Sequence, residues 1–279
     1  MLVLTSATLH ALWNFLAKRA SGDLTFVWLF CVVSTVVYGP VALAIFLIQQ
    51  PALGPAALAF MAGSTALHLV YYIALQQGYR VGDLSLVYPL ARGTGPALAT
   101  VLAIAILGER PSALTLAGGA TIVVGAFLLT GGPSALRGGD GKAILFGLIT
   151  GALIGSYTVW DKTIVGVLLV PPVIFNWGND FGRTVIAAPY AIRNWERTTR
   201  SWRQFWREAI GVGILGPLSY ILVLTALVAS PVSTIAPARE ISILIGAFLG
   251  TRFLGEKHAL RRLSAAGLMV LGIVALTLG

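Results

Sequence analysis

Residues 92–109 read RGTGPALATVLAIAILGE, and residues 239–256 read REISILIGAFLGTRFLGE. Both stretches run from an arginine to a Gly-Glu pair, with the same offset of 147 residues at either end. Each follows a small-residue stretch that ends in a proline, Pro89 or Pro237. Each leads into a Gly/Ala-spotted apolar run in which Gly125 matches Gly272. The duplication also extends outward. Trp13 and Lys18 match Tyr157 and Lys162, Trp28 and Pro40 match Trp177 and Pro189, and Gly63 and Tyr72 match Gly211 and Tyr220. Small drifts in offset are what loop insertions produce. A duplicated apolar segment carrying an arginine calls for a membrane explanation.

Composition agrees. Only 10% of the 279 residues are charged and 57% are hydrophobic, against about 25% charged in a soluble domain. That deficit places the chain in a bilayer. Its 32 glycines suit membrane helices whose backbones approach closely. The single cysteine, Cys31, lies in an apolar run and excludes an internal disulfide or a thiolate metal cluster. The net charge of +9 is spread in short groups between apolar runs, which marks cytoplasmic loops and not a nucleic-acid surface. At the amino end Lys18-Arg19 follows the apolar run, the reverse of a cleavable signal. That segment reads as the first span.

A spanning helix needs about 20 apolar residues. Ten segments qualify: 2–18, 26–48, 55–77, 84–107, 112–130, 142–161, 172–192, 208–229, 233–254 and 260–278. The repeat unit is therefore five helices, 1–138 and 139–279. Because five is odd, equivalent helices cross the membrane in opposite senses. The expected fold is all-α and integral to the membrane, with ten transmembrane helices forming two inverted five-helix repeats. Secondary transporters have this architecture, with the substrate between the repeats near the midplane. The longest connection, 193–207, holds five arginines and is the expected amphipathic interfacial piece.

The opening SATLHALWNFLAKRA (residues 6–20), the repeated five-helix unit, the arginine shortly after each proline, and the Gly-Glu junctions resemble the EamA-type branch of the drug/metabolite transporter superfamily. The resemblance covers essentially the whole chain. It implies a carrier that moves a small metabolite by alternating access, commonly outward, and it leaves the substrate open. Small multidrug exporters of the superfamily use a glutamate in the first helix. The first span here has no acid, which argues against that mechanism. Sugar-phosphate carriers of the superfamily place basic residues on the ninth helix, where Arg239 stands.

With ten spans, the loops on the side of the termini hold Arg110 and Lys162, and the opposite side collects 14 basic residues. The positive-inside rule then puts both termini outside a plasma (inner) membrane, whereas the resemblance would put them in the cytoplasm.

Arg92, Arg183, Arg239, Asp180 and Glu240 lie well inside spans. Each costs about 2.5–3.5 kcal/mol at a helix centre if it faces lipid, so all five must pair or line a wet cavity. Two roles stay open. The charges can pair internally, Asp180 with Arg183 and Glu240 with Arg92 or Arg239. Alternatively Arg92, Arg239, Glu240 and Asp180 contact a substrate, where a guanidinium forks onto a carboxylate or phosphate. The mixture of signs favours an amino-acid-like zwitterion over an organic anion. Further binding candidates are Trp13, Asn14, His68, Tyr72, Tyr88, Tyr157 and Asn179. Glu109 and Glu256 read as local helix-end residues, solvated or paired with Arg110 and Lys257. Gly118, Gly119, Gly125, Gly267 and Gly272 read as packing positions.

No HExxH, no GxSxG and no second buried aspartate for an aspartyl pair are expected, so the chain reads as no enzyme. No cofactor or metal is expected. The expected partners are a small-molecule substrate and the lipid bilayer, with no nucleic acid, in a monomer or homodimer. A translocator of a lipid-linked or phosphorylated intermediate, or a drug exporter, is the alternative.

Overall fold

Inside a bilayer every backbone polar group must be satisfied within its own segment, which selects helices. The computed structural model describes residues 1–20, 23–81, 84–129, 141–240, 242 and 259–279. Within these, the side chains at 18, 76, 79, 80, 84–86, 88, 89, 126, 129, 259–264, 266, 276 and 277 are not described. Ten helices are found among the described residues: α1 Leu2–Ala20, α2 Leu24–Gln49, α3 Pro55–Val81, α4 Leu84–Leu107, α5 Ala113–Leu129, α6 Gly141–Gly166, α7 Pro172–Arg193, α8 Trp195–Ala229, α9 Val232–Ala238 and α10 Ala259–Leu278. They follow the ten expected segments in order. Glu256, Lys257 and Arg252 lie outside the described residues.

Five of these helices are long and apolar enough to cross a membrane, those within α2, α3, α4, α6 and α8, and α1 and α5 hold shorter apolar stretches. The surface is apolar where water would forbid it. Val36, Val37, Val41, Leu43, Leu47 and Ile48 of α2 are all exposed, which suits a lipid neighbour. α7 inverts the pattern. Its polar residues Asn176, Asn179, Asp180 and Arg183 are all buried, and the spacing i, i+3, i+4, i+7 puts them on one face.

Two elements depart from expectation. The arginine-rich stretch is helical, because α8 begins at Trp195 and continues into the span across a break at Phe205 (φ −126°, ψ 26°). Before the break, a spacing of seven places Trp195 and Trp202 on one stripe and a spacing of three places Arg200 and Arg203 on another, and Trp206 and Arg207 follow just after the break. Both stripes are exposed, while Thr198 and Ala209 are buried. Two ion pairs tie this stretch to neighbouring helices, Arg197 to Asp23 at 2.5 Å and Arg19 to Glu208 at 3.8 Å. The second departure is α9, which lasts only seven residues. The chain then tightens into i, i+3 bonds, Glu240 N–H to Pro237 O at 3.0 Å and Ser242 N–H to Arg239 O at 3.1 Å. Arg239 therefore sits at the end of α9, and residues 243–254 of the ninth expected segment lie outside the described residues.

The described chain divides into two compact units, residues 1–66 with 161–229, and residues 67–160 with 230–279. In the first, α1 packs on α8, α2 on α7 and α8, and α7 on α8. In the second, α10 packs on α5, α9 on α4 and α5, and α4 on α5. The boundaries fall inside α3 and α6. Each unit thus takes helices from both sequence repeats.

The repeats are related by an exchange of contacts. A methyl group on Gly125 would lie 2.7 Å from Met269 Cγ and 3.1 Å from Ala265 O. One on Gly272 would lie 2.6 Å from Ile122 Cγ1 and 2.7 Å from Gly118 O. The 147-residue offset converts the first set of contacts into the second. α5 and α10 are thereby closed on each other with no room for a side chain, as small residues allow in membranes.

Candidate functional site

Close helix approach builds the first polar cluster, in the first unit. Gly178 and Gly182 of α7 face α3 so tightly that a methyl group there would meet Met61 Cε at 2.5 Å or Thr65 Cγ2 at 2.9 Å. That contact brings Ser64 to Asn179, whose Nδ2 donates to Ser64 Oγ at 3.0 Å. Ser64 Oγ donates in turn to Asp161 Oδ1 at 2.6 Å, and Tyr220 from α8 donates to Asp161 Oδ2. Asp161 is fully buried. This corrects the expectation of no second buried aspartate, because Asp161, at the end of the sixth expected segment, is held inside by Ser64 and Tyr220.

Asp180 belongs to the same unit and is saturated. Ser34 donates to Oδ2 at 2.6 Å, Asn176 donates to Oδ2 at 3.0 Å, and Arg183 engages Oδ1. The i, i+3 pairing of Asp180 with Arg183 is the one expected. Charge-assisted bonds of this kind are about twice as strong as neutral ones, and they let both ions stay buried.

The second unit holds the other pair. Arg92 Nε lies 3.2 Å from Glu240 Oε2, and Arg92 Nη2 donates to Ser242 Oγ at 2.9 Å. Of the two partners expected for Glu240, Arg92 makes the ion pair. Arg239 is half-buried at the end of α9. Glu240 is 2% exposed and Arg92 7%, so this pair has left both water and lipid. Arg92 comes from the first repeat and Glu240 from the second.

The aromatic candidates separate. His68 of α3 stacks on Tyr157 of α6, centroids 4.1 Å apart at 28°, and Tyr71 meets the same ring edge-on at 5.5 Å. Tyr72 is half-buried beside Tyr71. Trp13 spends its indole N–H on His10 Nδ1 at 3.2 Å, within its own helix, and Asn14 donates to His10 O at 2.7 Å. The side chain of Tyr88 lies outside the described residues. One asymmetry is legible: Trp13, the counterpart of Tyr157, lies 3.9 Å from the methyl position of Gly216, the counterpart of His68. Where one copy stacks on histidine, the other lies over glycine.

Five participants escaped the sequence reading: Ser34, Ser64, Asp161, Tyr220 and Ser242. Tyr220 carried a signal, as the duplicate of Tyr72. Glu109 was misassigned as local. Its carboxylate accepts from Val232 N at 2.7 Å and Ser233 N at 3.0 Å. It thereby caps α9, whose preceding residue, Pro231, gives no side-chain cap, and it complements the positive end of that helix. Among the described residues no group of three or more His, Cys, Asp or Glu is placed to hold a metal ion.

The sequence matches the family model described as the EamA-like transporter family over residues 1–131 and 141–278, one match per repeat. No curated protein matches. Among solved structures, one described only as a crystal structure of a protein aligns with 99% of this chain and 95% of its own. Its TM-score is 0.75 at 15% sequence identity, a likeness of fold.

Proposed function

Because the chain belongs to the EamA-like transporter family, we propose that it is a secondary carrier for a small polar metabolite. The substrate is an amino-acid-like zwitterion or an organic anion, moved outward by alternating access through polar groups that both repeats supply. The observation that carries this reading is the Arg92–Glu240–Ser242 group. Arginine and glutamate buried within membrane helices are functional groups by default. Here they meet where α9 stops and the backbone turns, as the broken helices of carriers do at their sites. The pair is neutral as a whole, which favours a zwitterion that exchanges partners with both ions over an anion that needs a free guanidinium. α1 with α8 and α2 with α7 share interfaces, which favours a motion that keeps these pairs together.

The test is a proteoliposome assay. Vesicles holding a defined mixture of amino acids, organic acids and sugar phosphates are sampled by mass spectrometry. Protein-dependent loss of a zwitterion or an organic anion supports the reading. Retention of every solute rejects it. We place the carrier in the plasma membrane with both termini outside, as a monomer or homodimer with no cofactor.

A second reading draws on one feature. Glu196, Thr199, Arg200, Arg203 and Gln204 line a cleft of about 480 Å³ on the basic stretch of α8, where a phosphorylated or lipid-linked cargo would gather. Accumulation of such an intermediate in cells lacking the protein, with solute efflux unchanged, would favour it.

A further inference from the structure

The hydroxyl of Ser64 has one proton, and its direction fixes the rest of the first cluster. Asp161 takes donors on both oxygens, Tyr220 on Oδ2 and Ser64 on Oδ1. Since Ser64 gives its proton to Asp161, the bond it shares with Asn179 must be one that Ser64 accepts. This sets the amide: Nδ2 points at Ser64, and Oδ1 points away. Asn179 is 2% exposed, and its Oδ1 has no hydrogen-bond partner. Buried acceptors are normally paired, and one left open is a place that a ligand or water completes. The neighbouring Asp180 is already served by Ser34, Asn176 and Arg183. The open acceptor on this face of α7 is the Asn179 carbonyl.

The chain behind that carbonyl also gives it a sign. Hydrogen bonds in series polarise one another in a low dielectric. A chain anchored on a carboxylate pushes electron density outward through Ser64 to the amide. Its free end is a strengthened acceptor, suited to a cationic N–H donor, and such a bond is stronger than a neutral one.

We propose that Asn179 Oδ1, set by the Tyr220–Asp161–Ser64 chain, is an ammonium-binding site within the first unit. This rests on the carrier reading above and gives the carrier an amine-recognising site of its own. Asn179 is the contacting residue, and Ser64, Asp161 and Tyr220 are positioning residues.

The test uses the full chain in lipid nanodiscs and in proteoliposomes. The probes are the common α-amino acids, each paired with the carboxylic acid that lacks its amino group. Binding is read by thermal stabilisation and transport by uptake. Wild type is expected to bind at least one amino acid about 10-fold or more tightly than its deaminated partner, a gap equivalent to one charge-assisted bond. Asn179→Leu removes the acceptor and should erase that gap. Asn179→Asp keeps an acceptor and should keep the gap. Ser64→Ala frees the amide to turn and should narrow it about 3-fold or more, with Ser64→Thr restoring it. These two variants carry the test if Asn179→Leu does not fold.

A wild-type preference retained in Asn179→Leu overturns the subsite while the carrier reading stands. Lower stability in that variant with an unchanged preference assigns the carbonyl to a structural water and also overturns it. A wild type that takes deaminated acids as well as amino acids overturns the subsite alone. A wild type that neither binds nor transports any member of either set overturns the subsite, and the carrier reading is decided separately by the mixture assay above.

Discussion

Thr35 of α2 and Thr184 of α7 face each other with their hydroxyls 3.3 Å apart. On either side of that contact the indole of Trp28 donates to Thr184 O at 3.1 Å, and the indole of Trp177 donates to Thr35 O at 3.0 Å. An offset of 149 residues converts one bond into the other, so the two-fold relation between the repeats passes between the threonines. Trp28→Phe and Trp177→Phe should therefore destabilise the protein alike, by about 1 kcal/mol each for one lost hydrogen bond. Thermal unfolding of the two variants in the same detergent checks this. A clear difference between them would mean that the two bonds are not equivalent.

The Arg92–Glu240 pair sets a larger effect. Removing one partner leaves the other ion buried and alone, at about 3–5 kcal/mol. Arg92→Gln and Glu240→Gln should each lower the yield of monodisperse protein. The exchange variant carrying Arg92→Glu with Glu240→Arg should recover much of the loss. Size-exclusion profiles of the three variants decide it, and an exchange variant no better than the singles would count against a pairwise origin.

Glycine offers a prediction with its own control. Gly272→Ala places a methyl group 2.7 Å from a backbone oxygen, Gly118 O, whereas the same change at Gly267 meets nothing within 4 Å. Overpacking of this kind costs about 1–3 kcal/mol. The Gly272 variant should melt earlier than wild type and the Gly267 variant should not. Melting both variants side by side gives the answer.

The tryptophan stripe of α8 should lie among the lipid headgroups and upper acyl chains, where indoles concentrate. Lipids brominated near the headgroup should then quench Trp195, Trp202 and Trp206 more strongly than lipids brominated near the chain end. A variant with all three changed to phenylalanine should lose most of that difference. Equal quenching by the two lipids would remove the stripe from the interface.

The orientation proposed from the charge bias has both termini outside. A carboxy-terminal alkaline phosphatase fusion should be active and a green fluorescent protein fusion dark. The opposite pair of results reverses the orientation.

Much of the fold could be read from the chain because its causes are local. Apolar length marks each helix, and duplicated residues such as Gly125 and Gly272 mark the repeats. The Asp180–Arg183 pair was legible for the same reason, since three residues along a helix is one face. What escaped was long-range. Glu109 looked like a helix terminator because its partners, Val232 and Ser233, lie more than 120 residues away. The burial of Asp161, at the very end of its expected span, was not legible because its depth is set by Ser64 on α3 and Tyr220 on α8. The helical start of α8 was missed because five arginines interrupt any apolar run. The spacing of its three tryptophans was the available clue.

Ser6 and Ser219 exchange bonds, each hydroxyl donating to the other's backbone carbonyl at 2.8 and 2.9 Å across 213 residues of chain. During synthesis α1 therefore enters the membrane and waits for nearly the whole protein before its packing partner α8 exists. The same delay holds for α2 and α7. Contacts so distant in sequence close late, and a chain stopped after its first five helices would hold unmatched faces in the bilayer, open to quality-control proteases. Assembly of this protein is gated by the arrival of its eighth helix.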